Sequence, residues 1–578
     1  MISERYHSTA GRMAPRGRQF SWATYGLIAL AFFIVYKMLK ASPQPPGMIL
    51  EMKPPQNFDP PSLDKGNKPN PTVSEVAPDS NSLTNDEKAA ALSALSGMQR
   101  VVHLDLKGAA PKVSYLEKLF PLLKSLGATG ILIEWEDMFP YEGELEEISA
   151  KDCYSKADVQ SMLSLAKDNH LSIIPLLQTF GHMEFVLKGE KYKHLREHPK
   201  QPQVINPHKP ESLDLIKLMI DQQLALQPQV QQIHIGADEV WDLGSSRESV
   251  EQMKMYGVSK EQIFLNHIRE VAGHVKNTHP FIDTLMWDDM FRNAKTADIE
   301  KSRVNKLVTP VVWKYTPNVH TILSDDIWLK YGKIFHNVWL ASAFKGATGS
   351  DQILTDVSYH YSNHIGWLRI IAKISSTMSI EGMMLTGWQR YDHFGTLCEL
   401  LPVAIPSLAV CLSAMQHAGV SKTYLNNING LLGCRPEAPL QWTINTKDYP
   451  SPKCTFPGHR ILEGVYALKN ARYYLSFLDS KNSLAGWHKE YNLNRGFSQR
   501  SRMVYLLEKS TKAQKLLTIA EDTLVQELPK VFSEETVTEW LQTNIEPMKE
   551  HLSTKISQAH EALLPDTWPR RPIHKIKS

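Results

Sequence analysis

The sequence predicts an α/β protein: a (β/α)8 TIM barrel with a helical C-terminal region, preceded by a membrane anchor and a proline-rich stalk. Three observations carry this. Eight short, β-branched-rich apolar runs recur between residues 101 and 388, each followed by a helical pattern. Polar residues gather at the C-terminal end of each run. The residues before 99 have a different composition altogether. With 578 residues, 42% of them hydrophobic, the chain has ample material for a large core, and five Cys make no disulfide framework. A net charge of +3, from 64 basic and 61 acidic residues, gives no electrostatic reason to expect nucleic acid.

Residues 1–18 form a basic tail, with Arg5, Arg12, Arg16 and Arg18 against Glu4. Eighteen uncharged residues then separate Arg18 from Lys37, enough for a helix across a thin bilayer with Lys37 and Lys40 snorkelling at its far end. The segment 19–40 therefore reads as a signal anchor, and the lipid bilayer as a partner. Arginines ahead of it keep the N-terminus cytosolic, which predicts a type II protein with a lumenal catalytic domain. A cleaved signal peptide is the rival, but no A-x-A site follows. Residues 41–98 carry Pro43, Pro45, Pro46, Pro54, Pro55, Pro60, Pro61, Pro69, Pro71 and Pro78 and almost no periodic apolar face, so they read as an extended, disordered stalk. The one N-x-T triplet, Asn70-Pro71-Thr72, is blocked by its proline, which counts slightly against a lumenal location.

Residues 99–405 read as the barrel. Its strands are the runs 101–106, 130–135, 171–177, 233–236, 282–287, 308–313, 338–341 and 383–388, whose continuous apolar character suits parallel strands covered by helices. Helical patterns such as Tyr115 to Leu126 and Glu211 to Leu226 lie between them. Residues 406–578 read as helices of a packing or interaction domain without recognisable chemistry. Four of the five cysteines lie between Cys398 and Cys454 without the short paired spacing of a zinc site. Free thiols are the default there, with a Cys434–Cys454 disulfide if the compartment is oxidising.

The polar residues at the strand ends include Lys107, Glu134, Glu136, Asp137, His182, Asp238, Glu239, Asp288, Asp289, Lys314, Lys345, Arg390 and Asp392. Barrel enzymes build their sites at these ends. Solvation of strand ends explains some of the acids but not Trp135, Trp287, Trp313 and Trp388 among them. Carboxylates interleaved with indoles indicate a sugar, whose apolar face stacks while its hydroxyls hydrogen-bond. The segment His234 to Val240 is the most specific. Neighbouring side chains of a strand face opposite ways, so Asp238 and Glu239 both enter a pocket only where the strand ends, and Gly236-Ala237 leaves room for that turn. Like charges this close push one pKa upward and supply a general acid beside an ionised partner. Adjacent acids do not easily straddle a sugar ring as two-carboxylate retaining enzymes require, but they suit attack by the sugar's own 2-acetamido oxygen.

The stretches His103 to Gly108, Gln178 to Phe185 and His234 to Val240 resemble the β-N-acetylhexosaminidases of glycoside hydrolase family 20. Trp287 to Met290, Ala341 to Ala347 and Thr386 to His393 point more narrowly to the hexosaminidase D branch. The resemblance spans roughly Arg100 to Pro402. It implies exo-hydrolysis of terminal β-linked N-acetylhexosamine, GlcNAc or GalNAc, with retention and no cofactor or metal. By position it implies that Asp238 orients the acetamido group, that Glu239 donates the proton, that His182 supports them, and that Trp287, Trp313 and Trp388 enclose the sugar. Lys107 stands where many members place an Arg, and a lone ammonium lacks the guanidinium fork. Arg390 and Asp392 stand where better-known members use a Glu. Tyr315 and Tyr391 both qualify as the acetamido-binding tyrosine, and Phe344 occupies one of its expected locations. Glu134 and Asp288 complete the expected substrate-binding set. Hexosaminidase D proteins resemble soluble cytoplasmic or nuclear enzymes, so the anchor departs from them. A homodimer is left open. Two other readings compete: a tethered, non-catalytic sugar-binding barrel, against which the Asp238-Glu239 pair argues, and a metal-dependent hydrolase using His103, Asp105, His182, His234 and Asp288, which lack an H-x-H pair.

Overall fold

The computed structural model describes residues 83–440, 451–479 and 486–573. The expected basic tail, the expected anchor at 19–40 and most of the expected stalk lie outside the described residues. Among the described residues, no helix is long and apolar enough to cross a membrane.

All eight apolar runs are strands: β1 (Gln99–Asp105), β2 (Gly130–Glu134), β3 (Ser172–Leu176), β4 (Gln232–His234), β5 (Asp283–Trp287), β6 (Val308–Trp313), β7 (Asn337–Lys345) and β8 (Ser379–Gly387). They pair in parallel and in sequence, and β8 returns to β1 to close the barrel. The pleat then sorts the side chains. Val101, Leu132, Ile174, Leu176, Leu285, Trp287, Val311, Trp339, Ala341 and Met384 form an inner cluster, with Trp313 and Trp388 packed against it. Val102, Leu104, Ile131, Ile133, Met286, Val312, Met383 and Leu385 belong to a second cluster under the helices. Counting by twos along the inner row carries it past the apolar layer onto His103, Asp105, Glu134, Gln178, Trp313, Thr386 and Trp388. That row is the floor of the site.

Two boundaries differ from the sequence reading. The end of the expected stalk is a helix, α1 (Asn85–Leu95). Thr84 and Glu87 form a reciprocal capping box, the Thr84 N–H donating to Glu87 Oε2 at 2.8 Å and the Glu87 N–H to Thr84 Oγ1 at 3.2 Å. Ala91 and Leu95 are buried, and α1 packs on α7 (Val357–Ile374), so these residues gain the tertiary contacts that periodicity alone did not reveal. At the other end the barrel does not stop at 405. The helix α8 (Leu401–His417) runs through that boundary, almost wholly buried, and packs on α7, β7 and β8.

The C-terminal helices α9 (His459–Asp479), α10 (Arg500–Glu527), α11 (Glu534–Asn544) and α12 (Glu546–Leu563) share one continuous hydrophobic cluster with the barrel's outer layer. Of the cysteines, Cys434 and Cys454 are disulfide-bonded, while Cys153, Cys398 and Cys411 are free thiols.

Thr84→Ala removes one half of the capping box and is expected to destabilise the fold by about 1 kcal/mol. Urea denaturation measures it. An unchanged midpoint would mean that the Thr84 cap contributes nothing to the stability of the fold.

Candidate active site

The C-terminal mouth of the barrel holds a cavity of ≈ 240 Å³ whose lining includes Lys107, Glu134, Gln178, His182, Asp238, Glu239, Trp313, Tyr315, Trp388, Arg390 and Tyr391. Nine of the twelve residues predicted to form the site are therefore brought together; Trp287, Asp288 and Asp392 are not.

The catalytic turn departs from strand geometry at once after β4. Gly236, Ala237 and Glu239 take positive φ values of 62°, 66° and 48°. Ala237 and Glu239 adopt a region that costs L-residues free energy, so other contacts must hold the turn. Three do. The Ala237 N–H donates to Gln178 Oε1 at 3.1 Å, the Glu239 N–H to Asp289 Oδ2 at 3.0 Å, and Gln203 Nε2 to the Glu239 carbonyl at 2.9 Å. Gly181 completes the fit from the neighbouring loop: a Cβ there would sit 2.0 Å from the Asp238 carbonyl oxygen. The turn brings both acids to one imidazole, with His182 Nε2 3.3 Å from Glu239 Oε2 and 3.6 Å from Asp238 Oδ2.

Burial works against a charged His182, but Asp238, then Glu239 and Glu184, outweigh it and lift the imidazole to about 10. The ring is therefore protonated at neutral pH. The raised carboxyl of the pair is Asp238: burial lifts it, His182 opposes this, and Asp289, Glu239 and Glu134 add to it. Asp238 Oδ1 is buried and has no hydrogen-bond partner among the described residues. Glu239 is more open, its side chain 34% exposed.

The opposite wall begins at Glu134, which has no exposed surface. Its Oε2 lies 3.0 Å from His103 Nε2, and its Oε1 accepts from Gln178 Nε2 at 3.3 Å. Lys107 Nζ donates to Glu136 at 3.0 Å and Asp105 at 3.3 Å and lies 4.0 Å from Glu134. Burial disfavours the ammonium, yet these three carboxylates hold its pKa above the ordinary lysine value. Lys107 lines the cavity as expected, but most of its donor capacity is already engaged. His234 is structural: its Nδ1 accepts the Gly236 N–H at 3.0 Å, and burial keeps the ring neutral.

The aromatic wall is Trp313, Tyr315 and Trp388. Tyr315 stacks on Trp313 at 5.2 Å and meets Trp388 edge-on at 6.2 Å. Trp313 Nε1 donates to Asp289 Oδ1 at 3.1 Å, which ties this wall to the catalytic turn. Trp388 Nε1 is buried, and the Tyr315 side chain lies against Trp388 and Thr386. Of the two candidate tyrosines, Tyr315 is enclosed with the indoles and feels Asp238, whereas Tyr391 sits at the rim, 47% exposed. Phe344 is buried in the core.

Three expectations are corrected. Trp287 is 0% exposed; it lies in the inner apolar layer beneath Trp388, ring to ring at 6.1 Å. Because Trp287 points inward, Asp288 points out to the helix side. There it accepts Arg292 Nη2 at 2.5 Å and Nε at 2.8 Å and the Tyr331 hydroxyl at 2.8 Å. Asp289 returns to the pocket side in its place. Asp392 Oδ1 accepts the N–H groups of Phe394 and Gly395, both at 2.8 Å, and so caps its own turn. Gln178, Gln203 and Asp289 were missed as supports. Asp289 carried a signal only as one of the strand-end acids, and Gln178 as a residue two beyond the inward-facing Leu176.

Two predictions follow from this geometry. Gly181→Ala forces the catalytic turn aside, and kcat/KM is expected to fall roughly 10- to 100-fold; unchanged kinetics would show that the contact is not needed. His182 has a folded pKa above its ordinary value, so its stabilising contribution is fully present below about pH 6.5 and is lost as pH rises through about 10. His182→Gln is therefore expected to destabilise the protein more at pH 6 than near pH 10. Urea midpoints at the two pH values check this, and an equal loss at both would exclude the charged ring.

The catalytic domain of glycosyl hydrolase family 20 matches residues 115–326. Human hexosaminidase D is 40% identical over 481 residues, 82% of this chain and 96% of that protein. Bovine hexosaminidase D is 48% identical over 335 residues, 58% of this chain and 96% of that protein. A family 20 exo-β-N-acetylglucosaminidase from Vibrio harveyi, solved with N-acetylglucosamine, covers 58% of this chain and 57% of its own at 17% identity and a TM-score of 0.41. With its barrel, its carboxylate pair and these relatives, the chain is a glycoside hydrolase that belongs to glycosyl hydrolase family 20, alongside the hexosaminidase D proteins.

Proposed function

We propose that the enzyme removes terminal β-linked N-acetylhexosamine from glycoconjugates with retention, the substrate's own acetamido group acting as nucleophile. One observation carries the reading: the two acids are neighbours gathered by a single imidazole, and Asp238 Oδ1 is buried with no donor among the described residues. Two acids placed this way do not serve as acid and nucleophile across one ring. They do serve as proton donor and acetamido acceptor. The more open Glu239 protonates the glycosidic oxygen as the acetamido oxygen closes on the anomeric carbon and the aglycone leaves. Asp238 accepts the acetamido N–H and stabilises the positive charge of the oxazolinium. Glu239 then takes a proton from water, which opens the ring with a second inversion. In the free enzyme burial favours a proton on Asp238; a bound acetamido N–H favours its ionised form and leaves the pair's proton for Glu239.

Glu239→Gln is expected to lower kcat by about 10²- to 10⁴-fold on substrates that need leaving-group protonation, and by much less on an aryl glycoside with an activated leaving group. Asp238→Asn should impair both. Cleavage of the activated glycoside by Asp238→Asn at the wild-type rate, or failure of a thiazoline analogue of the intermediate to inhibit, would overturn the assisted mechanism. Paired aryl β-GlcNAc and β-GalNAc substrates give the C4 preference.

We further infer a type II protein anchored by residues 19–40, its catalytic domain lumenal. The arginines preceding the uncharged stretch support this, as does the Cys434–Cys454 disulfide, a bond that persists in oxidising compartments. Protease protection of the catalytic domain in intact microsomes is the expected result; digestion would place it in the cytosol.

A further inference from the structure

The C-terminal region carries a surface of a different kind. Residues 486–502, which run into the start of α10, and residues 563–571, which close α12 and follow it, are fastened together. Trp568 Nε1 donates to the Ser498 carbonyl at 2.7 Å, Arg500 Nη1 donates to the Leu563 carbonyl at 3.0 Å, and the Arg571 guanidinium lies over the Phe497 ring at 5.1 Å. The two segments hold six bases, Lys489, Arg495, Arg500, Arg502, Arg570 and Arg571, against two acids, Glu490 and Asp566. The net charge of the whole chain is +3, so this corner carries more positive charge than the entire protein does in sum. Among the described residues none of the six cations is ion-paired with a carboxylate, unlike Arg292 and Arg390. Guanidiniums rest instead on aromatic faces, Arg495 over Tyr491 at 3.9 Å and Arg502 over Trp487 at 4.4 Å.

Apolar exposure falls at the same place. Leu564 is 82% exposed, and Trp487, Tyr491 and Trp568 are exposed beside the arginines. A soluble polyanion would engage the bases but offers nothing to a leucine left almost wholly in water. A bilayer surface answers to both features. Anionic headgroups attract the basic side chains, while Trp, Tyr and Leu bury their apolar bodies at the boundary between headgroups and acyl chains. We propose that residues 486–502 and 563–571 form a docking surface for anionic phospholipid, through which the protein seats on a membrane. The contact needs no spanning helix, is separate from residues 19–40, and shares no residue with the sugar pocket.

The test titrates the full-length protein with vesicles of phosphatidylcholine alone or with about 30% phosphatidylserine, and reads amide hydrogen exchange in peptides from the two segments. Because the readout is local to this corner, insertion of residues 19–40 neither supplies nor masks it. Exchange is expected to slow on the phosphatidylserine vesicles, not on phosphatidylcholine alone, and the protection to vanish at high salt. The double variant Arg570→Gln/Arg571→Gln should need roughly thirtyfold more lipid for half-maximal protection, about fivefold for each charge removed. Leu564→Ser, which keeps every charge, should need about tenfold more. All three residues are exposed, so both variants should keep the wild-type urea midpoint and turnover. Protection that is absent, or equal on the two kinds of vesicle, overturns the proposal. So does protection by soluble heparin with Leu564→Ser indistinguishable from wild type on vesicles, which would make the surface a polyanion site.

Discussion

Glu134 is a carboxylate without exposed surface, and the site is arranged around compensating it. An unpaired buried charge costs several kcal/mol, and removing one partner of a buried pair typically costs about 3–5 kcal/mol. Here His103 engages one oxygen and Gln178 the other, with Lys107 at 4.0 Å. Having donated to Glu134, the Gln178 amide presents its oxygen to the Ala237 N–H, the first strained residue of the catalytic turn. A single amide thus transmits the requirement of a buried charge on β2 to the position of the acids after β4. Neither Gln178 nor Glu134 needs to touch the reacting atoms to matter.

The same economy governs the acids themselves. Burial raises the Asp238 carboxyl, while the His182 imidazole lies within 3.6 Å of both side chains. Asp289 joins two walls, accepting the Glu239 N–H with one oxygen and the Trp313 indole with the other. Stacking geometry and acid geometry are therefore set by one side chain. This is preorganisation in the ordinary sense: polar groups fixed before substrate arrives need not reorganise when charge develops.

The C-terminal helices belong to this arrangement, although the sequence reading left them without chemistry. They share the barrel's hydrophobic cluster and reach the pocket through Glu539 and Thr536. The family match at residues 115–326 ends well before them. The cavity wall at Arg390 accordingly rests on a part of the chain remote from the acid pair.

Much of the fold was legible because parallel strands buried on both faces must be continuous apolar runs, and all eight such runs are strands. The acid pair, His182, Lys107, Glu134, Trp313, Tyr315, Trp388 and Tyr391 were legible because strand ends concentrate polar and aromatic residues that a core would reject. Direction was not legible: Trp287, Asp288 and Asp289 are consecutive, and only the pleat shows that the first packs the floor, the second faces the helices and the third holds the turn. Nor was partnership across long separations, such as Arg390 with Glu539, or the packing that makes residues 85–95 a helix at the end of a proline-rich tract. Local composition and periodicity determine which residues can be buried or solvated, so the sequence by itself determined the barrel and most of the residues gathered at its mouth. Which oxygen meets which donor depends on register and on contacts hundreds of residues apart, and that only the tertiary structure decided.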